Sequence, residues 1–86
     1  MAKLRKRNLE LRPIVRRFAE AMELELRENE HKNPWYSVEI GYLSARLGQE
    51  CAELRRAIAK GESKEVVLSE AADVANFAMM IADNYD

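Results

Sequence analysis

Apolar side chains recur along this chain at the three- and four-residue spacing of a helix face, and the alternation expected of strands is almost absent. Ile14, Phe18, Ala21, Met22 and Leu26 form the first such stripe. Pro13 stands just ahead of it and suits a first helical turn, because its fixed φ is helical and the N–H it lacks is not needed there. The pattern predicts a first helix from near Arg12 to near Glu30. It breaks at "NEHKNPWYS", where Asn33-Pro34 is a turn signal and the residue before proline is biased out of the helical region. Ser37 is the expected cap of a second helix, which carries Ile40, Leu43, Leu47, Cys51, Leu54 and Ile58 on one stripe and stops at Gly61. Ser63 is a second expected N-cap, with Glu65 near the positive end of the helix dipole. The third helix starts there and continues almost to the carboxyl terminus.

That third helix raises a chemical question. Val66, Val67, Val74, Phe77, Ala78 and Ile81 surround Glu70, which falls inside the apolar arc, with Asp73 at its edge. Only a strip around Ser69, Ala72, Asn76 and Asp83 looks ready for water, so the helix is expected to be covered on more than one side. On the second helix the apolar stripe centres near Leu47 and Leu54. Glu50 lies roughly 60° and Glu53 roughly 120° from that centre, on the same side. Folding the second and third helices into an antiparallel hairpin through the short "KGES" turn sets Glu50 and Glu53 opposite Glu70 and Asp73.

Four carboxylates brought together repel one another and gain proton affinity unless cations neutralise them. The hard cations that take oxygen ligands alone are Mg²⁺, Mn²⁺ and Ca²⁺, and Mg²⁺ favours a few carboxylates, waters and substrate phosphates. Phosphate-ester or anhydride chemistry is the implied class.

Length and charge narrow the setting. At 86 residues the chain reads as a single domain over 1–86, and a domain of this size buries only about 60–65% of its unfolded surface, which favours a homo-oligomer. A 48% apolar and 34% charged composition is that of a globular protein. The apolar runs are too short for a membrane span, and no apolar signal-peptide core opens the chain, so a cytoplasmic setting without membrane contact is expected. The lone Cys51 excludes an internal disulfide framework and a cysteine-based zinc cluster, and reads as core. Residues 1–17 carry seven basic side chains and only Glu10, against seven basic and fourteen acidic side chains in the remainder. The arm over 1–11 lacks interleaved aromatics, so it reads as a solvated or inter-subunit face, and no nucleic-acid partner is expected.

Glu50-Cys51-Ala52-Glu53, followed after sixteen residues by Glu70-Ala71-Ala72-Asp73, resembles the paired E-x-x-E and E-x-x-D motif of the MazG-like all-α nucleoside triphosphate pyrophosphohydrolases. "HKNPW" upstream and "EAADVANFAMMIADN" downstream resemble a small branch of that superfamily, over roughly His31 to Asn84. The resemblance implies a small all-α bundle of three main helices with the antiparallel hairpin, completed by oligomerisation as a homodimer or a homotetramer built as a dimer of dimers. It implies Mg²⁺-dependent hydrolysis of a nucleoside triphosphate to the monophosphate and pyrophosphate, with Mn²⁺ a possible substitute.

By the same analogy Glu50, Glu53, Glu70 and Asp73 are the metal ligands, and Glu53 is the residue expected to orient or deprotonate the attacking water. Trp35 matches an aromatic set against the nucleobase, or else anchors a small core. Lys32 is a candidate phosphate contact or a solvated loop lysine. Phe77 is a candidate floor for the base, with plain core packing as its simpler role. Asn76 is a candidate substrate contact or a surface amide. Arg46, one turn before Glu50, reads as its ion-pair partner rather than a phosphate clamp, and His31 reads as a loop residue. Gln49 stands where many relatives carry another acid. Relatives also place phosphate-binding basic residues on a further helix, which these 86 residues do not contain; Lys32, the basic arm or a neighbouring subunit is expected to supply those contacts.

Two readings of other classes compete. One is a non-catalytic helical interaction module whose basic arm touches nucleic acid or a partner. The other is a metal-stabilised structural bundle without turnover. A P-loop triphosphatase is excluded, since no G-x-x-x-x-G-K-[ST] run occurs.

Overall fold

A computed structural model of the chain describes residues 9–30, 35 and 38–85. Three helices organise them: α1 over Pro13–Glu28, α2 over Ile40–Ala59 and α3 over Lys64–Asn84. Among the described residues there is no strand, and no helix is long and apolar enough to cross a membrane.

The ends follow local chemistry. Pro13 occupies the first turn of α1, and at the other end Asn29 folds its side-chain amide back onto the Glu25 carbonyl. Ser63 caps α3 by accepting from the Val66 N–H at 3.3 Å, and Glu65 lies in the first turn, both as the sequence predicts. Gly61 has φ of 69°, a left-handed conformation that favours glycine. With it, Gly61 N–H donates to Ile58 O and Glu62 N–H to Ala57 O, which closes α2 with a Schellman pair of bonds. The start of α2 departs from expectation: Glu39, not Ser37, holds the N-cap position, and its side chain makes no capping bond. Ser37 lies outside the described residues.

Helix α3 is the centre of the molecule, and both α1 and α2 pack on it. Among the described residues, the buried side chains are Leu43, Glu50 and Ala57 on α2 and Ala72 and Asn76 on α3. Leu43, Glu50 and Ala57 are spaced by seven, so the inner line of α2 is rotated roughly 50° from the expected stripe centre. The rotation carries Glu50 inward and leaves Ile58 exposed, although the apolar pattern places Ile58 inside. Cys51 is half-buried on the flank of that line.

Of the strip of α3 expected to meet water, Asp83 is exposed as the pattern predicts, but the other three positions are not. Ala72 and Asn76 are the most deeply buried residues of the helix and Ser69 is half-buried, while Ala78, placed in the apolar arc, is exposed. Helix α1 covers this strip. Ser69 Oγ donates to Glu25 Oε2 at 2.7 Å, and Asn76 Nδ2 donates to the Met22 carbonyl at 3.1 Å. Serine, alanine and asparagine are short, so they admit a neighbouring helix closely. The second cover on α3 is therefore the chain's own α1.

Candidate functional site

The rotation of α2 and the central position of α3 bring acids from different helices together. One carboxylate oxygen from each of Glu50, Glu53 and Glu70 lies within 4.8 Å of the other two. Glu50 is 5% exposed, Glu70 is half-buried and Glu53 faces outward. Asp73, one turn beyond Glu70, stands outside this set of three but feels the charges of Glu50 and Glu70.

Proton affinities respond as the crowding requires. Burial, above all, raises the Asp73 pKa to about 7; the charges of Glu25 and Glu50, a hydrogen bond with Glu25 and the charge of Glu70 add to it. Glu70 is pushed above the usual carboxylate range, first by burial and then by the charge of Glu53, a hydrogen bond with Glu53 and the charge of Glu25; Arg56 opposes the shift. Glu70 Oε1 is buried without a hydrogen-bond donor. An orphaned carboxylate oxygen among two further carboxylates is an all-oxygen donor set of the kind that suits Mg²⁺, Mn²⁺ or Ca²⁺.

Glu25 is an addition that the sequence reading missed. It reaches the group from α1, where Ser69 fixes one of its oxygens. Its signal was present: with Phe18 as origin, Glu25 falls roughly 20° away, at the centre of the apolar arc of α1. The same criterion singled out Glu70.

Beside the acids stands Arg46. Its Nη2 donates to Glu50 Oε2 at 2.7 Å and its Nη1 to Gln49 Oε1 at 3.3 Å, so the expected ion pair with Glu50 is formed. The guanidinium carbon lies 5.0 Å from the centroid of the Phe77 ring, a cation–π distance. Phe77 is thus half-buried beneath an arginine, one turn from Asp73.

Other sequence-predicted positions resolve differently. Asn76 is no surface amide: it is 3% exposed and bound to α1, with Oδ1 buried and unpaired. Trp35 is held at the far end of α3, where its indole N–H donates to Asp83 Oδ2 at 3.1 Å and its carbonyl accepts from Asn84 Nδ2. Ten residues of helix, about 15 Å, separate that end from Asp73. Lys32, His31 and residues 1–8 of the basic arm lie outside the described residues. On the opposite side of the acids a cleft of about 210 Å³ runs towards the α2–α3 turn, lined by Glu53 and Glu70 and, further out, by Arg56 and Lys60.

Comparison with protein-family models, with curated proteins and with solved structures finds no match.

Proposed function

We propose that the chain is a Mg²⁺-dependent nucleoside triphosphate pyrophosphohydrolase of the MazG-like all-α type, acting on the cytoplasmic nucleotide pool. The observation that carries this reading is the convergence of Glu50, Glu53 and Glu70, with Asp73 beside them, at the positions of the E-x-x-E and E-x-x-D pattern. Three carboxylates this close, of which Arg46 pairs with Glu50, suit a further cation beside that pair, and a divalent cation that also meets phosphate is of the right kind.

In this reading Glu50, Glu53, Glu70 and Asp73 hold the cation from the antiparallel hairpin of α2 and α3. A divalent cation held there would supply positive charge against the phosphate in the transition state and would lower the proton affinity of a water. Glu53, the exposed member of the set, orients that water and takes its proton. The water oxygen bonds to the α-phosphorus, the bond from that phosphorus to the α,β-bridging oxygen breaks, and the electron pair leaves with pyrophosphate. Trp35 and Phe77 supply aromatic faces for the base, and stacking suits any base. Arg56 and Lys60 in the adjoining cleft are basic groups within reach of the outer phosphates, so Lys32 need not carry that task alone.

Oligomerisation belongs to the same reading. Helix α1 has no buried residue, and Ile14 and Leu24 are 61% and 62% exposed, which leaves apolar surface for a homodimer or a dimer of dimers.

The test is a panel of ordinary and modified nucleoside triphosphates incubated with Mg²⁺ and scored for monophosphate and pyrophosphate. Orthophosphate as the product contradicts the cleavage position. A rise in melting temperature with Mg²⁺ but no product from any nucleotide identifies a metal-stabilised bundle instead.

A further inference from the structure

Arg46 is placed for more than pairing with Glu50. A buried ion pair is a weak source of stability, because two charges must be stripped of water to make it. Here the pair is asymmetric: the Glu50 side chain is 7% exposed and the Arg46 side chain 34%. The guanidinium therefore sits at the mouth of the acid group, with a buried carboxylate behind it and solvent in front. A guanidinium presents five N–H donors in a planar fork that matches phosphate oxygens, and the bonds to Glu50 and Gln49 engage one on each Nη.

Its position along the helices suggests which phosphate it would meet. Trp35 marks one end of α3, Phe77 lies between Trp35 and Asp73, and the cleft with Arg56 and Lys60 lies beyond Glu70. A nucleotide lying with its base towards Trp35 and Phe77 and its outer phosphates towards the cleft would bring its α-phosphate to Arg46.

We infer that Arg46 is a catalytic residue that binds the α-phosphate, and that its contacts with Glu50 and Phe77 are the resting place from which it does so. This rests on the pyrophosphohydrolase reading above. Arg46 keeps its protons throughout; it contributes positive charge to the non-bridging oxygens of the α-phosphate while the bond to the bridging oxygen breaks and the water proton passes to Glu53. In this role Arg46 would exchange its bond to Glu50 for bonds to the phosphate oxygens, which the same planar fork accommodates.

Three measurements on wild type, Arg46→Ala and Arg46→Lys decide the matter: Mn²⁺ affinity without nucleotide, steady-state kcat and KM, and activity of Arg46→Ala with millimolar guanidinium chloride. The expected result is Mn²⁺ affinity that is unchanged or tighter, kcat lowered about 100-fold or more in Arg46→Ala, and about tenfold recovery with guanidinium. Lysine restores charge but not the fork, so Arg46→Lys is expected to fall between wild type and alanine. Where Arg46→Ala does not fold, Arg46→Lys decides alone, and a kcat equal to wild type overturns the assignment. Loss of Mn²⁺ binding in step with kcat, without guanidinium rescue, also overturns it and makes Arg46 an orienting partner of Glu50. Absence of pyrophosphate release by wild type overturns the underlying reading, and the role of Arg46 with it; wild-type turnover with full activity in folded Arg46→Ala overturns the role of Arg46 alone.

Discussion

Ser69 on α3 donates a 2.7 Å hydrogen bond to Glu25 on α1, and this bond fixes a carboxylate of the first helix beside the acids of the other two. The contact has two consequences. It ties α1 to the central helix at a point where both side chains are half-buried, and it adds negative charge to the surroundings of Asp73. Ser69→Ala removes the donor and leaves Glu25 half-buried with less compensation. The expected loss is about 1–2 kcal/mol of unfolding free energy, measured by urea titration. Glu25→Gln keeps a polar partner for Ser69 but removes the charge, so it is expected to lose less; an equal loss in both variants contradicts the electrostatic part of this account.

The raised Asp73 pKa sets the sign of a pH dependence. An aspartate near 3.8 when unfolded and about 7 when folded binds more protons in the native state across that interval. Stability of the metal-free protein therefore falls as pH rises from about 4 to about 7, and no further penalty from this group accrues above that range. Asp73→Asn is expected to flatten this part of the profile in thermal melts recorded with EDTA. Mg²⁺ is expected to raise the melting temperature more at pH 8 than at pH 5, because the acids must be ionised to bind it.

Glu53 separates chemistry from folding. Its carboxylate is exposed, and its charge and hydrogen bond both raise the proton affinity of Glu70, so Glu53→Gln relieves repulsion in the metal-free protein. The melting temperature with EDTA is expected to match or exceed wild type, while turnover drops by a factor of about 100 to 10,000. Retained turnover removes Glu53 from the role of base.

Trp35 tests the placement of the nucleobase. Phenylalanine there keeps an aromatic face but loses the indole N–H that meets Asp83. Trp35→Phe is expected to raise KM a few-fold, and Trp35→Ala to raise it by about 5- to 150-fold, in line with stacking worth roughly 1–3 kcal/mol. Equal KM in wild type and Trp35→Ala makes the residue an anchor for the end of α3 and no more.

Much of the architecture was legible in the chain. The three helices, the Ser63 cap, the Gly61 stop and the Arg46–Glu50 pair all rest on local signals of spacing and conformation. What failed was the inference from polarity to exposure. Ser69, Ala72 and Asn76 looked like a solvent strip because none is a large apolar residue, yet their shortness is what allows α1 to approach, and the polar ones bond to it. Ile58 and Glu50 exchanged expected places for a related reason. The facing helix selects which arc of α2 is inward, and hydrophobicity alone placed that arc roughly 50° away. Glu25 was readable by the test that found Glu70, an acid at the centre of an apolar arc; what the sequence did not reveal is that α1 docks beside the same group.

The most direct test of the central claim is a ³¹P NMR time course of the wild-type protein with Mg²⁺ and a panel of nucleoside triphosphates, repeated with EDTA. Monophosphate and pyrophosphate resonances are expected to grow together from at least one nucleotide, with no orthophosphate, and to be absent when Mg²⁺ is chelated. Unchanged triphosphate spectra across the panel, or orthophosphate with diphosphate as the products, contradict it.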